Sequence, residues 1–255
     1  MEPLYTPVVG LARTLFRAQG LRFTILGAEH VPAAGGAVMA INHTGYFDFT
    51  YAGLTAQPSR RLVRFMAKKS VFSHPVAGRL MRGMHHIPVD RHAGSHAFDA
   101  AVAALRAGEV VGVFPEATMS RSFELKEFKA GAARMAQQGG VPLLPVTIWG
   151  SQRVWTKDAP KHRGRSRIPI HLTVGEPLTV GPDEDAAAAT ERLKAAMQAQ
   201  LEAQQAAYPP LTGADLRYLP ARLGGTAPTP EEAAERERHD MTRRTDKFNK
   251  RAAGA

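Results

Sequence analysis

Residues 37–48 read AVMAINHTGYFD, in which five apolar residues are followed by a polar turn. A short, continuous apolar run that ends at turn residues is typical of a buried β-strand. The segment after it, from Phe47 to Thr55, is helix-like. The stretch therefore predicts a strand, a turn that contains His43, and a helix whose first turns contain Asp48.

The same alternation of apolar runs and helix-like segments continues through most of the chain. The strand-like runs cover residues 23–26, 37–41, 62–67, 86–89, 110–114, 143–148 and 168–174, and the helix-like segments cover 47–55, 96–107 and 130–138. Alternation of this kind favours helices packed on a parallel or mixed sheet. The predicted fold class is α/β, a single domain with a central mixed, mostly parallel sheet flanked by helices.

The N-terminal segment, residues 1–20, predicts an amphipathic helix. Its apolar residues recur at spacings of three and four; they are Leu4, Val8, Leu11 and Leu15. This stripe either packs on the domain or lies in a membrane interface, with Arg13 and Arg17 at the lipid headgroups. Both interpretations stay open at this point.

The main domain is expected to cover residues 21–208 and to end in a helix. Residues 183–208 are rich in Ala, Gln, Glu and Lys, which favour helix formation. Residues 209–255 contain prolines and glycines that interrupt any long element, so they predict a loosely ordered, charged C-terminal tail. A short charged helix is expected from Glu231.

The composition excludes several classes of site and protein. The chain has 255 residues and no cysteine, which excludes disulfides, thiolate metal sites and cysteine nucleophiles. Its first residues lack the pattern of a signal peptide, and no run of about 18 apolar residues is present that would cross a bilayer. We therefore expect a protein exposed to the cytosol that lies on a membrane without spanning it.

The net charge of +10 is concentrated in two stretches. Residues 60–91 contain eight lysines and arginines against one acid, and residues 153–167 contain six against one. Such density of one sign fits an anionic partner. Lipid headgroups, a phosphorylated substrate, an acidic carrier and nucleic acid all meet this description, and composition does not choose among them.

His43 and Asp48 are the first pair of residues suited to catalysis. With His43 in the turn and Asp48 in the first helical turns, the carboxylate reaches one ring nitrogen and leaves the other free to accept a proton. A histidine oriented by an aspartate acts as a general base, and a hydroxyl of the substrate would then be the nucleophile. The alternative is a helix-capping aspartate beside a histidine held in the core.

Three further blocks follow the His43 stretch in chain order. They read IPVDR at 87–91, VFPEATMSRS at 113–122 and VPLLPV at 141–146, and MAKK at 66–69 precedes the first of them. Together they resemble the glycerolipid acyltransferases, the family of 1-acylglycerol-3-phosphate (lysophosphatidate) acyltransferases. That family carries Asn-His, four residues and Asp, and later Phe-Pro-Glu-Gly-Thr-Arg-Ser. The resemblance covers roughly residues 22–180.

The resemblance implies a role for each matching position. His43 would be the general base and Asp48 the residue that holds and charge-stabilises it. The acceptor and its phosphate would be bound by matching or neighbouring positions, namely Arg91, Glu116, Thr118, Arg121 and Lys68. A guanidinium suits a phosphate because it donates two hydrogen bonds at once, and a lysine adds a point charge. No metal or bound cofactor is expected, since acyl-CoA or acyl carrier protein would enter as co-substrate.

The implied function is transfer of a fatty acyl group to lysophosphatidate, forming phosphatidate, at the cytoplasmic face of the cell membrane. The expected partners are the acyl donor, a lysophospholipid acceptor and an anionic membrane surface, without nucleic acid. One departure bears on the acceptor, because Met119 stands where the family usually has arginine and Arg121 follows two places later. Glycerol-3-phosphate, another lyso-lipid or a glycolipid stays open as acceptor, as does a non-catalytic protein that binds anionic lipid or nucleic acid.

Overall fold

The structure is a computed structural model that describes residues 2–90, 94–162 and 164–253, with side chains except those of 94, 95 and 244–253. The strands are β1 (Arg22–Leu26), β2 (Ala37–Ile41), β3 (Val63–Lys68), β4 (Ile87–Val89), β5 (Val110–Val113), β6 (Leu143–Trp149) and β7 (Pro169–Val174). The helices are α1 (Tyr5–Ala18), α2 (Asp48–Thr55), α3 (Lys69–Phe72), α4 (Ala77–Gly83), α5 (Gly94–Arg106), α6 (Gly131–Gly139), α7 (Ala186–Ala207) and α8 (Pro230–Ala253).

One seven-stranded sheet organises the fold. Its strand order is β1-β7-β6-β2-β5-β3-β4, and every pair is parallel except β6 with β7. Strand β2 is central: the chain leaves it towards β3 on one side and later returns to β6 on the other. The predicted α/β class with a mixed, mostly parallel sheet is confirmed.

The core lies on both faces of this sheet. All five residues of β2 are buried, as its continuous apolar run predicts. Because successive side chains of a strand point to opposite faces, Met39 and Ile41 join one apolar cluster and Val38 and Ala40 join the other. The first cluster includes residues of α1 and α2, and the second includes residues of α5, α6 and α7. Strand β2, which leads to His43, is therefore packed against helices on both faces of the sheet.

Helix α1 packs on the domain through a face that includes only part of the predicted stripe, since Val8 is half-buried. Tyr5 and Phe16 are its buried residues, and the Tyr5 hydroxyl donates a hydrogen bond to the carbonyl of Val63. Leu11 and Leu15 point outward, with 72% and 52% of their surface exposed. The predicted helix is confirmed, and of the two interpretations left open for its stripe, packing on the domain does not hold for Leu11 and Leu15.

Part of the basic stretch in residues 60–91 is structural. Arg64 is buried and forms ion pairs with Glu2 and Glu109, while Arg61 donates to backbone carbonyls that include that of Pro32. Arg64 lies near the amino end of β3, away from its carboxyl end, where Lys68 stands. The expectation that this whole stretch faces an anionic partner is therefore wrong for Arg61 and Arg64, because their guanidinium groups already bind residues distant in sequence.

The C-terminal region is more ordered than the sequence suggested. Tyr218 is buried, its carbonyl accepts a hydrogen bond from Gln152, and Asp215 pairs with Arg153. The helix expected from Glu231 is the 24-residue α8. No helix in the described parts of the chain combines the length and apolar character needed to cross a bilayer.

Candidate active site

Three of the predicted site residues stand at the same edge of the sheet. His43 follows β2, Glu116 follows β5, and Lys68 is the last residue of β3; these three strands are mutually parallel. In open α/β sheets the crevice beyond the carboxyl ends of parallel strands is the usual place for a ligand, next to the point where the strand order reverses. Strand β2 occupies that point here.

His43 and Asp48 are in direct contact. Nδ1 of His43 lies 3.0 Å from Oδ2 of Asp48. The carboxylate is fully buried, whereas 23% of the histidine side chain is exposed. The pair thus has a buried, orienting end and an end open to a ligand.

The other contacts of Asp48 indicate which ring nitrogen of the neutral His43 imidazole carries the hydrogen. Its Oδ2 also accepts hydrogen bonds from the backbone amides of Thr44 and Gly45, both at 2.7 Å. An oxygen that accepts two amide hydrogens is an acceptor for the ring as well, so Nδ1 of His43 carries a hydrogen. Nε2 is then the unprotonated nitrogen of the neutral ring and is available to take a proton.

Local sequence explains why this turn forms. Asp48 is in the first turn of α2, where amide hydrogens without helical partners and the positive end of the helix dipole favour a carboxylate. At Gly45 a Cβ atom would lie 3.1 Å from Oδ1 of Asp48 and from the carbonyl oxygen of Ser151. A side chain at this position would therefore displace its neighbours by a few tenths of an ångström.

Glu116 holds the backbone of the histidine turn. Its Oε1 accepts from the amide of His43 at 2.8 Å, and its Oε2 accepts from the amide of Lys126 at 3.2 Å. Burial raises the pKa of Glu116 to about 8, although the hydrogen bonds from the His43 and Lys126 amides act in the opposite direction. With both oxygens engaged by backbone, Glu116 is placed to connect the β5 loop to the His43 turn.

Two further contacts of the site were not anticipated from the sequence. The ring of Phe114 stacks on that of His43, with centroids 4.3 Å apart. The side chain of Asn42 donates to the carbonyl of Ile148 and accepts from its amide, which ties β2 to β6 immediately before His43. Their positions beside His43 and Glu116 were the only sequence signal for these roles.

The predicted phosphate-binding residues differ in their surroundings. Lys68 is exposed at the end of β3, and Arg91 lies outside the described residues. Arg121 has a side chain that is only 9% exposed and forms ion pairs with Asp158 at 2.6 Å and with Asp240 of α8 at 2.5 Å. The Thr118 hydroxyl accepts a hydrogen bond from the ammonium group of Lys126.

Met119 stands where the Phe-Pro-Glu-Gly-Thr-Arg-Ser block has arginine, and Lys126 is a further cation near this position. Met119 is buried, and its sulfur accepts a hydrogen bond from the hydroxyl of Thr156 at 3.5 Å. Lys126 contributes a cation beside Thr118 and is not among the residues predicted from the sequence. Its place ten residues after Glu116 was its only signal. The loop after β5 therefore carries three cations, Arg121, Lys126 and Lys129, of which Lys126 is the one beside Thr118.

Comparison with known proteins gives a consistent result. A model of the Acyltransferase family matches residues 22–149. The 1-acyl-sn-glycerol-3-phosphate acyltransferase of Bacillus subtilis is 33% identical over 155 residues, which are 60% of this chain and 72% of that protein. The enzyme of the same name from Borreliella burgdorferi is 27% identical over 161 residues, 60% of this chain and 61% of that protein.

The fold also has a solved counterpart. The crystal structure of the 1-acyl-sn-glycerophosphate (LPA) acyltransferase PlsC from Thermotoga maritima matches with a TM-score of 0.65. The match covers 80% of this chain and 81% of the other, at 19% sequence identity. At this level of identity the similarity concerns the fold alone.

Proposed function

This chain belongs to the Acyltransferase family, and on that premise we propose that it transfers a fatty acyl group from a thioester donor to the hydroxyl of lysophosphatidate, forming phosphatidate. The names of its relatives support the acceptor. The thioester is acyl-CoA or acyl carrier protein, and no resident cofactor is required by this chemistry.

The observation that carries the proposal is the contact between His43 and Asp48. In the proposed reaction, Nε2 of His43 takes the proton of the acceptor hydroxyl while its oxygen attacks the thioester carbonyl carbon. The tetrahedral intermediate collapses by breaking the carbon–sulfur bond. The protonated ring then returns its proton to the leaving thiolate, and Asp48 stabilises the imidazolium in between.

The acceptor phosphate is proposed to bind beside this pair through Arg91, Lys68 and Arg121. Lys68, which ends β3, and Arg121, on the loop after β5, support that assignment, since the carboxyl ends of these two strands face the same side. Glu116 and Thr118 belong to the same region. We assign Glu116 the task of positioning His43, because both of its oxygens already hold backbone amides.

Association with the cytoplasmic face of the membrane is proposed to occur through the outer face of α1. Leu11 and Leu15 are exposed, and Arg13 and Arg17 of the same helix are exposed as well. Apolar side chains flanked by arginines are typical of helices that lie in the interface of an anionic bilayer. A peripheral site of this kind would bring the enzyme to a lipid acceptor.

The test is an acyl-transfer assay with purified protein and palmitoyl-CoA. Lysophosphatidate, glycerol-3-phosphate and lysophosphatidylinositol are offered in parallel, and phosphatidate or the corresponding product is measured. Selective acylation of lysophosphatidate is expected. Transfer to one of the other acceptors alone would replace the proposed substrate, and absence of transfer with both palmitoyl-CoA and palmitoyl-acyl carrier protein would contradict the proposed reaction.

A further inference from the structure

Helix α8 reaches the loop after β5 through two acidic side chains. Glu237 and Asp240 are three residues apart and so lie on the same side of the helix. Oε2 of Glu237 accepts from the ammonium group of Lys126, and Oδ2 of Asp240 accepts from the guanidinium of Arg121, each at 2.5 Å. Two carboxylates of the C-terminal helix thus engage two of the three cations of this loop, Arg121 and Lys126.

These cations are linked to the candidate active site. The amide of Lys126 shares the carboxylate of Glu116 with the amide of His43. The amide of Ser120, next to Arg121, donates to the carbonyl of His43 at 2.7 Å. The loop that carries the cations is therefore fixed directly to the backbone of the histidine turn.

An open cleft joins the same elements. Its volume is about 550 Å³, and its lining includes Arg121, Asp240 and Tyr46, three residues after His43. Lys157 and Lys161 line it as well. The contact between Arg121 and α8 thus lies on a surface that extends to the histidine turn and is accessible to a ligand.

Helix α8 contacts the domain mainly through polar side chains. Of its described side chains, those of residues 230–243, none is buried. Hydrogen bonds from Lys126 and Thr118 lower the pKa of Glu237 below its ordinary value, although burial acts to raise it. The carboxylates of both pairs stay partly exposed, 21% for Glu237 and 38% for Asp240, so a competing anion can approach the two cations.

Carboxylates and a phosphate monoester are bound by the same groups. Each offers several anionic oxygens to a guanidinium fork, an ammonium group and a hydroxyl. Arg121, Lys126 and Thr118 supply these three kinds of donor within nine residues of one loop. Glu237 and Asp240 therefore stand where an anionic headgroup would be bound.

We propose that Thr118 and Lys126 join Arg121 in binding the phosphate of the acceptor, and that α8 closes this part of the site with Glu237 and Asp240 until the phosphate displaces them. The inference rests on the proposed function for the identity of the acceptor. Its consequence is that the free chain is partly self-inhibited, because only the fraction with α8 released binds acceptor.

The first test follows α8 without requiring turnover. Hydrogen–deuterium exchange of the full chain is measured over residues 230–243 with lysophosphatidate, glycerol-3-phosphate or inorganic phosphate, and with monoacylglycerol as the neutral control. Faster exchange with at least one phosphate compound, and none with monoacylglycerol, is expected. A response to inorganic phosphate identifies a free-phosphate site, and a response to lysophosphatidate alone identifies a lipid-headgroup site. Unchanged or slower exchange with all three phosphate compounds would overturn the proposal, whether or not the enzyme turns over.

The second test uses matched charge variants of α8. The double variant Glu237→Gln/Asp240→Asn should lower the KM for lysophosphatidate by about tenfold and leave kcat unchanged, because the competent fraction rises. Glu231→Gln removes an exposed charge from the first turn of the same helix and should leave both constants unchanged. A double variant with unchanged or higher KM would contradict the closure of the site by α8.

Discussion

Oδ2 of Asp48 holds the turn that carries His43 as well as its ring, since it accepts from Nδ1 at 3.0 Å and from the amides of Thr44 and Gly45 at 2.7 Å. One buried oxygen thereby fixes both the backbone and the tautomer of the histidine. Asp48→Asn should lower kcat by about 10² to 10⁴, because the amide neither fixes the tautomer nor stabilises an imidazolium. Steady-state kinetics and thermal unfolding of both proteins check this. A folded variant with unchanged kcat would refute the orienting role.

The short distance between position 45 and the Asp48 carboxylate predicts that a side chain added at this position lowers activity. A methyl group there would meet Oδ1 of Asp48 at 3.1 Å and shift the carboxylate. Gly45→Ala should lower kcat by about tenfold, as small displacements of catalytic groups do. The control is Gly53→Ala inside α2, whose added Cβ would contact only the Phe65 ring, at 3.8 Å.

That control has an expected result of its own. Alanine at position 53 should raise the free energy of unfolding by about 0.5 to 1 kcal/mol, because glycine is unfavourable within a helix. Urea unfolding and the acyl-transfer rate of both variants are the measurements. Equal losses of activity in the two variants would show that the contact with Asp48 is not what position 45 requires.

Burial of Glu116 predicts a specific pH dependence of stability. Its pKa is about 8 in the folded chain against an ordinary value of 4.5, so the folded state binds the proton more tightly. The stabilising contribution is complete below about pH 4.5 and is lost as the pH rises through about 8. Relative to Glu116→Gln, which does not titrate, the wild-type chain should therefore lose stability between these limits.

Urea unfolding of both proteins at several pH values between about 5 and 8 measures this difference. The difference in the free energy of unfolding between wild type and Glu116→Gln should fall steadily with rising pH. A constant difference across the range would mean that burial does not raise the pKa of Glu116.

The outer face of α1 predicts a defect in membrane binding without a defect in folding. Leu11→Gln/Leu15→Gln should weaken binding to phosphatidylglycerol vesicles by about tenfold or more, because two apolar side chains no longer enter the bilayer. The thermal midpoint should not change, since both residues are exposed. Leu223→Gln, exposed in the C-terminal region, is the matched control. Equal binding by all three proteins would exclude α1 as the contact surface.

The strands could be predicted from their patterns, because β2 and β6 are buried along their whole length and β1 and β7 alternate between more and less exposed residues. The run at 37–41 predicts β2 without error, and the other strands begin and end within two residues of the observed bounds. The contact of His43 with Asp48 was predictable because both residues belong to one local strand–turn–helix unit.

Contacts between distant segments could not be read in this way. Arg121 and Asp240 are 119 residues apart, and Glu116 reaches His43 across 73 residues. Whether a charge serves a ligand or an internal ion pair depends on such contacts, as Arg64 shows with Glu2 and Glu109. The helical period of α1 likewise predicts a helix, but the packing of Tyr5 and Phe16 decides which face is buried.

The central claim is that His43 takes the proton of the acceptor hydroxyl, and His43→Ala tests it most directly. Phosphatidate formation from palmitoyl-CoA and lysophosphatidate is measured for wild type and variant, together with thermal unfolding and vesicle binding. The account predicts a loss of rate of about 10² or more, with folding and vesicle binding retained. A folded variant that forms phosphatidate at the wild-type rate would contradict it.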